Sequence, residues 1–168
     1  MVCHRFMPLP FIALLLTICL LPAGAAEWYP GIIHCHTTFS DGAESVDAVT
    51  ELMRTELAQY REDGRGFLIV TDHFESLIPK GEAVFHDYVA AVHSASRPEF
   101  LTMAGLEIEA LWTPEKDVVG HSHSVTIGDL PGDAEALSAV WQRLVSAKTP
   151  PAGGATQQEI TTAIRDIG

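Results

Sequence analysis

Basic side chains are scarce in this chain. Ten Lys and Arg stand against 22 Asp and Glu in 168 residues, a formal net charge of −12 with His neutral. No run of Lys and Arg occurs, so a nucleic acid would find no dense positive strip to displace its counterions, and it is not an expected partner. Cysteine is equally thin, with only Cys3, Cys19 and Cys35. A long apolar stretch is missing too: the eleven residues Phe11 to Leu21 fall short of the roughly 20 that a membrane-crossing helix needs. Internal repeats and low-complexity segments are absent. What is present is a chain 47% hydrophobic, too apolar for wholesale disorder and long enough for one domain with a sizeable core.

The apolar run follows Arg5 and ends in the small residues Ala23 to Ala26, the three-part layout of a secretory signal. Residues 1–26 are expected to be cleaved after Ala25 or Ala26, which places the mature chain, 27–168, in a secreted or periplasmic location with no stable membrane span. An uncleaved anchor is the competing reading. Lipid attachment at Cys19 is disfavoured by the bulky Ile18 before it. Cleavage leaves Cys35 as the single cysteine, so no disulfide framework is expected even in an oxidising compartment.

Along the mature chain, Gly31 to His36 is a short β-type run. Ala43 to Glu62 carries Val46, Val49, Met53, Leu57 and Tyr60 at helical spacing. Phe67 to Thr71 is a continuous apolar stretch of the kind a parallel sheet buries on both faces. Glu82 to Ser96 predicts a second amphipathic helix, Leu101 to Glu107 a third strand and His121 to Ile127 a fourth. Asp133 opens a helix with Leu137, Val140, Trp141, Leu144 and Val145, and Thr156 with Glu159 forms a capping box for a last helix to Ile167. Alternating strands and helices predict an α/β fold.

On a strand His34 and His36 share a face while Cys35 points to the opposite layer, a geometry that suits one metal ion between two imidazoles. Such a pair alone is weak, because with eight His in 168 residues chance supplies about 0.4 of them. Position adds more. Thr71, Asp72 and His73 end the second strand, Gly105 and Glu107 the third, and His123 lies on the fourth. Functional groups gather at the carboxyl ends of strands in parallel α/β folds, and imidazoles mixed with carboxylates suit zinc, iron or manganese.

Four strings occur in order: WYPGIIHCHTTFSDG from Trp28, VTDHFE from Val70, AGLEIE from Ala104 and HSVTIG from His123. They resemble successive motifs of the PHP (polymerase and histidinol phosphatase) superfamily, and are most similar to its secreted, carbaryl-hydrolase-like branch. The likeness covers Trp28 to Gly128. It implies the N-terminal part of a distorted seven-stranded, TIM-like β/α barrel (the PHP fold), incomplete at the C-terminus. It also implies two or three divalent ions (Zn, Mn or Fe), and hydrolysis of small-molecule phosphoesters or related esters and carbamates by metal-bound hydroxide.

Carried over by residue, the resemblance gives His34 and His36 to one metal and Glu107 as a bridge to a second. His123 would bind that second metal, ahead of His121, because Gly128 follows it five residues on as in the family motif. Asp41 and His73 would serve a third. No side chain is catalytic beyond metal-bound water. Asp72 is expected to orient His73 or bind backbone, and His121 to contact substrate or stand in a loop. Glu109 competes with Glu107, since one register error would promote it. A turn or helix-cap role competes for Asp41. Cys35 reads as a small buried apolar residue, His86 and His93 as surface or packing residues. The family's remaining ligands, a His after the next strand and an Asp-x-His near the barrel's end, have no counterpart here.

Two further expectations compete with the hydrolase. The chain is an inactive, truncated remnant with partial metal binding, whose open sheet edge favours association. Alternatively it is an amidohydrolase-type barrel, which ranks behind because none of Lys80, Lys116 and Lys148 sits at a strand end.

Overall fold

The apolar run from Phe67 becomes the centre of a parallel sheet in the computed structural model, which describes residues 27–112, 120–125 and 128–148. Strand β2, Gly66–Val70, lies between β1, Gly31–Ile32, and β3, Phe100–Ala104. Leu68, Ile69 and Val70 are buried, as a central parallel strand requires. Side chains of residues 110–112, 120–124 and 148 are outside the description.

The helices follow from their caps and apolar stripes. Helix α1, Val46–Leu57, starts where Ser45 accepts a bond from Ala48 N, and it ends in a 3-10 turn through Tyr60. Tyr60 is exposed, so the expected apolar stripe stops at Leu57, which packs against the core. A short helix unforeseen in the sequence, α2 (Phe74–Leu77), follows His73 directly. Helix α3, Glu82–Ala95, buries the expected Phe85, Tyr88, Val89 and Val92. Asp133 accepts from Ala136 N at the start of α4, Ala134–Lys148, which buries Leu137, Val140, Trp141 and Leu144. Phe74, Phe85 and Trp141 meet with ring centroids 5.3 to 6.2 Å apart, joining α2, α3 and α4 in one core. The expected helix at 156–167 lies outside the described residues.

The expected fourth strand needs correction. Strand β5, Gly120–Val125, does not extend the parallel sheet. It pairs antiparallel with β4, Glu107–Trp112, as a separate hairpin. The chain then descends beside β3, where Leu130 N donates to Ala104 O (2.7 Å) and Asp129 accepts from Ala104 N and contacts His93 Nε2, each at 2.8 Å. Helix α4 therefore runs antiparallel to α3, with Ser138 opposite His86 and Gln142 opposite Glu82. Among the described residues this is an α/β fold with a small parallel sheet, and no helix is long and apolar enough to cross a membrane.

Candidate metal centre

Three chain segments reach one end of the parallel sheet because strand pairing continues beyond the strands themselves. Thr71 N donates to Cys35 O at 2.8 Å, which holds the His34–His36 segment against the end of β2. His73 and Glu107 form a parallel bridge in the register already set by Val70 and Ala104, and Glu107 N donates to Asp72 O at 3.1 Å. Tyr88 fixes the same end from behind, its hydroxyl donating to Val70 O (2.8 Å) and Gly105 O (2.7 Å). Burial pushes that phenol's pKa well up, so it stays a donor.

The side chains then converge. His34 Nδ1 is 2.7 Å from Thr71 Oγ1 and His36 Nδ1 is 2.7 Å from Asp41 Oδ1, contacts that leave both Nε2 atoms facing Glu107. Glu107 Oε2 lies 2.7 Å from His36 Nε2, 3.6 Å from His34 Nε2 and 3.6 Å from His73 Nδ1. His73 Nε2 is 3.6 Å from Asp41 Oδ2. Two triads result, His34 with His36 and Glu107, and His36 with Asp41 and His73, and the donor atoms of each lie within 4.8 Å of one another. Glu107 forms the buried floor, while the His34 and Asp41 side chains, 47% and 63% exposed, form an open rim.

These groups could hold a metal ion. His36 Nε2 is buried and, despite its approach to Glu107, makes no hydrogen bond of normal geometry. Imidazole and carboxylate donors this close, with His34 and His73 nitrogens 3.6 Å from the same Glu107 oxygen, are a set that a cation could share. Partners on the Nδ1 atoms are also what orients metal-binding imidazoles. The hydrogen bond from His36, ahead of the charges of His36 and His73, holds the Asp41 carboxyl below its ordinary pKa, so it is ionised and ready to ligate at neutral pH.

Of the expected residues, the structure brings together His34, His36, Asp41, His73 and Glu107. Asp72 binds backbone, the second of its two expected roles: it is buried and accepts from Thr37 N, and also from the Thr37 and Ser40 hydroxyls. Glu109 is in neither triad, and its backbone N donates to Glu75 Oε1 at 2.9 Å. His121 and His123 pair with Leu111 and Glu109 across the hairpin, and their side chains lie outside the described residues. Sequence reasoning missed Thr71 and Thr37 as orienting groups, although both flank predicted ligands. His86 and His93 remain on α3, where His86 meets Ser138 at 3.3 Å and His93 meets Asp129.

Cys35 is not poised as a nucleophile. It packs against the core but is only partly buried, less than expected; that partial burial, with the Asp72 carboxylate beside it, pushes its thiol up to about 11. In metal-free protein at pH 8 only about one thiol in a thousand is ionised, so alkylation by iodoacetamide is expected to be far slower than for a free cysteine and to accelerate as pH rises toward 11. Rapid labelling at pH 8 in the folded chain would contradict this burial.

No family model, curated protein or solved structure matches the chain. What the site does is therefore argued from its side chains.

Proposed function

We propose that the chain belongs to an exported, metal-dependent hydrolase of the PHP type, acting on phosphoesters or related esters and carbamates. The observation that carries this reading is the pair of His and carboxylate triads sharing His36 at the carboxyl ends of adjacent parallel segments. The motif resemblance supports it independently, and the order β1-β2-β3 is what the first strands of a β/α barrel would contribute.

His34, His36 and Glu107 would hold one cation, the imidazoles through Nε2, and Asp41 Oδ2 with His73 Nε2 would contribute to a second, His36 bonding Asp41 through its Nδ1. Zinc, manganese and iron all suit this mixture of imidazole and carboxylate. When bound, such cations supply Lewis acidity, activating water at neutral pH and taking up charge that develops on a phosphoryl or carbonyl oxygen. The chain's own residues position. Thr71 sets the His34 ring, Asp41 sets the His36 ring, and the buried Glu107 supplies the carboxyl group at the floor. The exposed His34 and Asp41 side chains open the site to solvent.

The test is to titrate full-length protein with zinc or manganese, then assay a generic phosphodiester and an aryl ester. Stoichiometric uptake with turnover is expected, and retention of metal should fall on acidification, because protons compete with the ion for its ligands. Uptake without turnover favours the inactive remnant. No uptake at neutral pH ends the metal reading.

A further inference from the structure

We propose that Asp72 is a positioning residue which, through Thr37 and Ser40, sets where Asp41 stands between His36 and His73, and so controls one of the two cation sites; the inference rests on the two-cation reading. Asp72 is fully buried, and a carboxylate this dry persists only when hydrogen bonds replace its water. Its bonds share one destination. Oδ1 accepts from Thr37 N at 2.8 Å and from the Ser40 hydroxyl, and Oδ2 accepts from Thr37 Oγ1 at 2.6 Å.

Those donors lie in the segment that joins His36 to Asp41. Thr37, itself buried, continues the order outward: its carbonyl accepts from Ser40 N and Gly42 N at 3.0 Å each, and its hydroxyl oxygen accepts from Phe39 N at 3.2 Å. Ser40 Oγ also lies 3.3 Å from Asp41 Oδ1. The turn that presents Asp41 is thus keyed to a carboxylate that belongs to neither triad. Asp41 needs such a mount, because its side chain is exposed and would otherwise sample many positions.

The triad of His34, His36 and Glu107 depends on this mount only through His36, whose Nδ1 bonds Asp41. Thr71 positions His34, and strand pairing positions Glu107. Loss of the Asp72 bonds should therefore weaken the site that uses Asp41 selectively, whereas a purely structural carboxylate would change stability and leave the two affinities in their original ratio.

Cobalt titration, followed by visible absorption and calorimetry, reads the two sites separately in full-length protein, and His73→Ala assigns the one that uses Asp41. Asp72→Asn and Thr37→Val are expected to weaken that site by about 10- to 100-fold and the other at least severalfold less, and Thr37→Ser, which keeps the hydroxyl, to restore both. Equal losses at both sites, or none in folded variants, overturn the proposal while leaving the two-cation reading intact. Wild-type protein that takes up a single cation, or none, overturns both. Should Asp72→Asn fail to fold, Ser40→Ala decides: selective weakening supports the proposal, and unchanged affinities in a folded chain refute it.

Discussion

His36→Ala is expected to lower affinity for zinc or manganese by more than about 100-fold, because replacing only an outer partner of a metal ligand already costs about 10- to 100-fold. His36 is the one side chain common to both triads. Its Nε2 faces Glu107 and its Nδ1 bonds Asp41, so truncation removes a ligand from one side and the partner that orients Asp41 from the other. His34→Ala should do less, since it strips one triad and leaves the other intact. Equilibrium dialysis with metal analysis measures both, with circular dichroism to establish that the variants remain folded. His93→Ala is the control: it contacts Asp129 and belongs to neither triad, so uptake should be unchanged. If His36→Ala takes up metal as the parent chain does, the shared-ligand geometry is wrong.

Gly42→Ala is expected to destabilise the fold by about 1–3 kcal/mol, the usual cost of forcing atoms into filled space. A Cβ at this position would lie 2.4 Å from the carbonyl oxygen of His36, 2.5 Å from its carbonyl carbon and 2.6 Å from Thr37 N. The obstacle is backbone and cannot swing aside like the end of a flexible side chain. The turn must open, and Asp41 moves with it, so cation affinity should fall along with the denaturation midpoint. Gly128→Ala separates this local clash from a general cost of added methyl groups. Among the described residues nothing lies within 4 Å of its added Cβ, and stability should stay within about 0.5 kcal/mol of the parent. A Gly42→Ala protein with unaltered midpoint and affinity would show that the turn adapts without strain.

Much of the fold was legible because local chemistry and tertiary burial agree. The apolar run at Phe67 could hardly be anything but a buried strand, and the Phe85, Tyr88, Val89 and Val92 stripe defines one face of α3 without help from its neighbours. The hairpin was not legible in the same way. The alternation in His121 to Ile127 announces a strand, but period-2 patterning is identical for parallel and antiparallel partners. Helix α2 escaped because it is only four residues long and lacks a full amphipathic turn pattern.

The sequence by itself determined the supply of ligands: two imidazoles in one short segment, an acid and a third imidazole each placed where an apolar run ends, and no competing cysteine framework. Local patterning suffices for that, because burial and backbone hydrogen bonding act on neighbours along the chain. Only the tertiary structure decided which donors meet. Parallel pairing brought His73 opposite Glu107, 34 positions on, and a buried Asp72 reached back to the turn that carries Asp41. Contacts between distant segments depend on strand register and on the desolvation of particular oxygens, and neither is written in the spacing of residues along one segment.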